Sequence, residues 1–236
     1  ERYGLKSAIL HAEDVLLYGQ NGVVPDERKV VKINEIAKKH AVYVSWSHAS
    51  FAAAATKPKL IQKTAEILLD EKQRWWGAEM GIETGSPELV KKIMPAKAKP
   101  FEPEKYPNIV REAAGVMTDN NMIPACTLIA GLPEETVDDV IKTIELIEDL
   151  KDFKSLIVPL FFVPMGKLKD KDWFKREEMS DVHKELLMKC LHHDLKWVRE
   201  IIDAYFQEKK IYWVLKPFYI LFMKLIEWQG KKKGII

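Results

Sequence analysis

Two short segments hold the residue types best suited to ligand chemistry. Gly81-Ile82-Glu83-Thr84-Gly85-Ser86 closes an apolar run and leads into Pro87-Glu88-Leu89. Glycines at its ends let a ligand's bulk approach the backbone. Glu83 offers an acceptor for ribose hydroxyls or an ammonium group. Ser86, with the free amides of a helix start, suits a carboxylate or phosphate. A serine-capped turn from strand to helix explains the same residues equally well. Thr127-Leu128-Ile129-Ala130-Gly131-Leu132-Pro133-Glu134-Glu135-Thr136 closes a second apolar run. Ile129 could present a flat surface to a base and Gly131 permits close approach, though a tight turn before a helix is again sufficient.

Other reactive side chains have plainer readings. Cys126 falls within a strand-like run and Cys190 within a long helical one, which predicts buried structural thiols. Two cysteines exclude a disulfide scaffold and any four-cysteine zinc or iron–sulfur site inside the chain. His183, His192 and His193 share a helix without HExxH spacing and read as solvated. His11 and His48 sit at strand ends, where orienting a substrate and simple packing are equally open. Trp75 and Trp76 are expected to pack between sheet and helix.

The elements that must position these groups alternate. Ser7–His11, Ala41–Trp46, Arg74–Ile82, Met122–Ala130 and Leu156–Val163 read as strands. Asp26–His40, Thr56–Leu69, a short helix after Ser86, Asn108–Asn120 and a helix capped by Thr136 with Asp139 at its third position read as helices. Beyond Val163 the pattern is helical, Asp181–Phe206 and then the aromatic segment Ile211–Trp228, which Pro217 should break or kink. This alternation predicts a mostly parallel sheet, an open doubly wound one or part of a barrel, with the working site at the C-terminal ends of the strands. Residues just after each strand, Glu13-Asp14 and Ser47-His48 among them, are therefore candidates.

The two glycine-bearing segments in this order, separated by a helix and followed by an acidic amphipathic helix, resemble the later half of radical S-adenosylmethionine (SAM) enzymes. The likeness covers roughly residues 7–165 and is strongest to the branch often fused to a cobalamin-binding domain. It implies an α/β fold, a partial (β/α)6 TIM-like barrel over residues 1–168, followed by a helical extension over 169–236. It implies SAM as cofactor, with cobalamin a further candidate, and a [4Fe-4S] cluster that cleaves SAM reductively to a 5′-deoxyadenosyl radical for C–H activation. By the same likeness Glu83, Thr84 and Ser86 would touch the ribose and methionine ends of SAM, and Ile129 would pack on adenine with Gly131 making room. Glu13 and Asp14 would accept from the SAM amine, and Pro164-Met165-Gly166 resembles a late barrel turn. Thr127 and Thr84 stand where the family commonly has glycine and serine.

The family's CxxxCxxC cluster loop is absent from these 236 residues. The chain opens on Glu1 and enters a strand almost at once, so the first strand and cluster loop are expected upstream of Glu1 and this chain alone is expected to be inactive. The substrate expected is a small or lipid-like molecule, and a reductant protein is the expected partner. A cluster-less SAM- or nucleotide-binding module and a parallel α/β enzyme that binds phosphate are the alternatives.

A hydrophobic share of 47% argues against disorder, and a net charge of 37 − 35 = +2 gives no bulk-charge case for nucleic acid. The apolar runs are too short to span a bilayer. Within 211–233, Trp213, Phe218, Tyr219, Phe222 and Trp228 are followed by Lys231-Lys232-Lys233. This pattern fits a peripheral membrane contact, or a helix packed on its own protein or on a partner subunit. The cytoplasm is the expected compartment, with membrane association on the first of these readings.

Overall fold

The computed structural model describes residues 6–206 and 210–232; residues 1–5 at the start of the expected barrel region, and 233 at the end of the expected membrane segment, lie outside them. The strands are β1 (Ser7–Leu10), β2 (Tyr43–Trp46), β3 (Glu79–Glu83), β4 (Ala125–Ala130) and β5 (Leu156–Phe161). The helices are α1 (Glu27–His40), α2 (Phe51–Thr56), α3 (Pro58–Leu68), α4 (Pro87–Ile93), α5 (Tyr106–Asp119), α6 (Val137–Asp149), α7 (Asp181–Phe206) and α8 (Lys210–Lys232).

Helix starts follow their capping chemistry. Asp26 accepts from the amides of Arg28 and Lys29, Ser86 from that of Leu89, and Thr136 forms a reciprocal capping box with Asp139. The expected helix over 56–69 is α3, with Pro58 in its first turn as expected, and a separate short helix, α2, precedes it. Proline lacks an amide and disfavours helical backbone in the residue before it, and Lys57 accordingly sits at φ −136° between α2 and α3. β3 starts at Glu79 rather than Arg74, because Trp76 meets the next strand only through a lone bridge to Met122. Pro217 removes one internal bond but does not end α8, which runs continuously through it.

All described strand pairs are parallel. β1 pairs with β2 with Ile9 opposite Ser45, and β3-β4-β5 pair with Thr127 between Gly81 and Val158. Ser47 and Glu79 join the two groups: the Glu79 amide donates to the Ser47 carbonyl at 2.9 Å and His48 bridges Glu79. Spatial order therefore follows chain order, and the described strands do not close into a barrel. Alternate residues, Val44, Trp46, Met80, Ile82, Cys126, Leu128, Ala130 and Ile157, are buried in the core that contains the helices' apolar faces. Trp76 is fully buried there, edge-on to Trp46 at 4.7 Å, as expected for a residue between sheet and helix. Trp75 donates to the Ala204 carbonyl of α7 at 3.0 Å.

Both thiols are buried, as expected. Burial pushes the Cys126 thiol far above its usual range and that of Cys190 up to about 12. The expectation of solvated histidines fails for two of the three on α7. His193 is buried with Nε2 3.0 Å from Ser155 Oγ, and His183 lies largely enclosed against Glu135. Apolar residues of α7 pack it onto α6 and β5, and that contact closes over these rings.

Burial pulls the His193 imidazole down to about 4 and pushes the neighbouring Asp194 carboxyl up to about 6. The linkage signs oppose. Unfolded histidine gains its proton near 6.5 while folded His193 waits until about 4, so its contribution is lost as pH falls through that window. Folded Asp194 holds its proton up to about 6 against 3.8 unfolded, so its contribution is present at low pH and lost as pH rises through 6. Thermal unfolding scanned from pH 7 to 4 should therefore show Asp194→Asn losing stability faster than wild type as pH falls, and His193→Gln losing it more slowly. Parallel curves for all three proteins would contradict the assignment.

Candidate functional site

The residues that alternate with the buried set line the opposite face of the sheet. Ile9, Ser45, Glu79, Gly81, Thr127, Ile129, Val158 and Leu160 fall on it by register, and Ile9, Glu79, Val158 and Leu160 are exposed. At its C-terminal end the backbone departs from regular strand. The β3–β4 register shifts between Gly81 and Glu83, and Glu83 adopts φ +62°, a conformation that costs a non-glycine residue free energy.

The bulge turns the Glu83 side chain back over Gly81. A Cβ built on Gly81 would lie 1.8 Å from Glu83 Oε1, so only glycine leaves space for the carboxylate there. Glu83 Oε1 accepts from Lys97 Nζ at 2.7 Å, and Oε2 accepts from Thr127 Oγ1 at 3.2 Å. Below the bulge, the buried Tyr106 hydroxyl donates to the carbonyls of Gly81 and Ile82, at 3.2 and 3.1 Å. Glu83 is thus a half-buried carboxylate, pre-positioned by β3, β4, α5 and the turn at Pro95–Ala98.

At the neighbouring strand ends, His11 and His48 rings meet edge-on at 6.1 Å, and His48 Nε2 lies 3.7 Å from Glu79 Oε2. His48 Nδ1 is enclosed without a hydrogen-bond partner. Both histidines therefore belong to the rim of this open face.

Other expected contacts are spent inside the protein. Thr84 is fully buried, 3.2 Å from Thr143 Oγ1, and accepts from the Ser86 amide. Ser86 is fully buried, caps α4 and donates to Asp139 of α6. Burial pushes the Asp139 carboxyl up, but hydrogen bonds from Ser86 and Thr136 outweigh it and hold the pKa low. These two residues therefore clamp α4 to α6, and the expectation that they face a ligand is corrected here. Asp14 accepts from the Leu16 amide at 2.9 Å and from Ser50 Oγ at 2.6 Å, so it caps a turn, and burial raises its pKa. Glu13, beside it, is exposed.

Gly131, at φ +76°, does not make room for a ligand. A Cβ there would lie 1.9 Å from the Phe174 ring, which fills the space. Phe174 also packs on Phe161 and on His183, with ring centroids 5.9 and 4.9 Å away. Glu135 Oε2 accepts from the Gly131 amide at 2.7 Å and pairs with His183 Nε2 at 2.9 Å. Burial raises the Glu135 pKa while His183 and that amide pull against it. Ile129 remains half-buried beside Leu160.

Sequence reasoning missed Lys97, Tyr106 and Phe174. Lys97 lies in a lysine-rich connection with nothing to single it out, and Phe174 reaches Gly131 from more than forty positions along the chain. The tyrosine at the start of α5 carried one usable signal, a polar tip on an otherwise apolar helix face.

A [4Fe-4S] cluster does not fit these residues. The only two thiols are buried on different elements and held protonated, and among the described residues no three histidine, cysteine or acidic side chains are grouped to hold a metal ion. Anaerobic reconstitution with iron and sulfide should leave this chain without a stoichiometric cluster; broad visible absorbance that survives gel filtration would contradict this. No helix among the described residues is long and apolar enough to cross a membrane. No protein-family model matches the chain, and no curated protein matches it in sequence.

Proposed function

We propose that the open face of the sheet binds S-adenosylmethionine, and that the chain is the later part of a partial (β/α)6 barrel of the radical SAM type. The observation that carries the reading is Glu83. Its carboxylate is held at φ +62° over Gly81 at the C-terminal end of β3. Non-glycine residues persist in such backbone when the surroundings over-determine them, and such positions cluster at ligand sites.

The chemistry suits SAM, which carries a sulfonium and an ammonium. Glu83 is an acceptor for the ribose hydroxyls or the ammonium, and Glu79 adds a second negative charge to the same face. Ile129 with Leu160, paired on adjacent strands, offers an apolar step for adenine. The space beside Gly131 is closed by Phe174, so adenine is assigned to that step and not to Gly131. Thr84 and Ser86 have no part in the contact. Strand order that follows chain order supports the barrel assignment, because a doubly wound sheet reverses order at its switch point.

The assignment to these residues is SAM recognition. Radical chemistry needs three neighbouring thiolates that they do not supply, and no electron-transfer step is placed on this chain. A cobalamin, a reductant protein and a lipid-like substrate belong to the family reading and have no residue assigned to them here.

The test is a calorimetric titration of the chain with SAM, beside a thermal-shift comparison with a phosphorylated sugar. Saturable SAM binding with thermal protection supports the reading. Protection by the phosphorylated sugar and none by SAM would replace it with the phosphate-binding α/β enzyme.

A further inference from the structure

We propose that the outward face of α8 docks on an anionic lipid surface. This does not depend on SAM binding. Burial along α8 separates two faces. Met223 is buried, and Tyr219, Ile220 and Ile226 are half-buried with it. Val214, Phe218, Leu221, Leu225 and Trp228 recur every three or four residues on the other side, joined by Phe222. Each is about half to two-thirds exposed, up to 69% for Phe218. A stripe of six large apolar side chains facing water is costly on a soluble surface and marks an interaction site.

Charge decides among the occupants. Within α8 there are five lysines (210, 216, 224, 231 and 232) and one acid, Glu227, a balance of 5 − 1 = +4 on a helix whose whole chain carries +2. A stripe with three- and four-residue spacing would also suit a coiled coil with a second copy. Such pairs are set by opposite charges flanking the seam, and two copies of α8 would bring lysine against lysine. Bulky Phe218, Phe222 and Trp228 also depart from the branched aliphatic residues that seams prefer. An anionic bilayer surface satisfies both features, with aromatic rings at headgroup depth and lysines reaching phosphates. Lys232 lies 5.3 Å from the Trp228 ring centroid, so charge and aromatic anchor stand together at one end. Lys216 lies within 3.1 Å of Asp203, which ties α8 to α7 while the stripe points away. The helix is ~35 Å long at about 1.5 Å per residue, but Lys216, Lys224 and Glu227 interrupt its apolar run, so it would lie along the surface, not through it.

The test is co-sedimentation of the full chain with phosphatidylcholine vesicles containing or lacking phosphatidylglycerol, with size-exclusion chromatography alongside. The anionic vesicles should bind the chain at low salt and release it as salt rises. Phe218→Glu/Phe222→Glu should weaken partitioning by more than about tenfold, because it removes two rings that would leave water on docking and puts two negative charges in their place. Lys224→Gln and Lys232→Gln should each weaken it about fivefold, from roughly 1 kcal/mol per lysine near such a surface. All these positions are exposed, and far-UV circular dichroism confirms that the variants fold. Negligible sedimentation with anionic vesicles would overturn the proposal, as would equal binding to neutral vesicles that ignores salt. A wild-type dimer that Phe218→Glu/Phe222→Glu converts to monomer would reassign the stripe to a second copy.

Discussion

Trp76→Ala should lower the unfolding free energy by about 3–5 kcal/mol, the range for deleting a large buried aromatic side chain. Trp76 has no exposed surface, and its indole meets Trp46 edge-on at 4.7 Å with an interplanar angle of 76°. Its Nε1 donates to the Asn120 carbonyl at 3.0 Å, and its backbone pairs with Asn121 and Ile123. Trp46 in turn donates to the buried Asn34 of α1 at 2.9 Å. The two rings together thus join α1, β2, the approach to β3 and the turn before β4. Truncation leaves a cavity at that junction and the half-buried Asn120 carbonyl without its donor, and close packing prevents full collapse. For a chain of this length the loss corresponds to a drop of about 6–20 °C in melting temperature. Trp173→Ala, at an exposed tryptophan, is the control and should leave the melting temperature nearly unchanged. Equal small shifts in both variants would show that the Trp46–Trp76 contact does not organise the core.

Glu83→Ala should weaken SAM binding by about tenfold or more while leaving the fold intact. A hydrogen bond to a charged group contributes roughly 1.5–3 kcal/mol, and about 1.4 kcal/mol is a factor of ten in affinity. The alanine variant keeps the left-handed backbone strain but loses the contacts to Lys97 and Thr127, so a modest stability change is expected beside the larger binding change. Glu83→Gln separates charge from shape: it keeps an acceptor for Thr127 and loses the charge toward the ligand's ammonium. Calorimetry on wild type and both variants measures this. Unchanged affinity in both would mean that the bulge serves only to shape the turn.

Local chemistry determined much of this protein. The helix starts at Asp26, Ser86 and Thr136 were legible because capping is a short-range exchange between one side chain and the next few amides. Strand–helix alternation made parallel pairing legible, and burial of Cys126 and Cys190 followed from their places in apolar runs. α7 begins where its apolar period does, at Asp181. Tertiary structure alone decided which side of the sheet each candidate reached. Glu83, Thr84 and Ser86 are adjacent in sequence, yet the bulge sends Glu83 over the open face and buries the other two against α6. A one-residue shift in register exchanges the faces of a strand, and no local pattern encodes that shift. Whether Gly131 stood open also depended on distant sequence: Phe174 filled it because α7, docking on α6 and β5, brought His183 and Phe174 together over the glycine. Likewise the sequence marked the aromatic residues of α8 as one set, and only packing decided that Tyr219 was drawn inward while the stripe from Val214 to Trp228 was left in water.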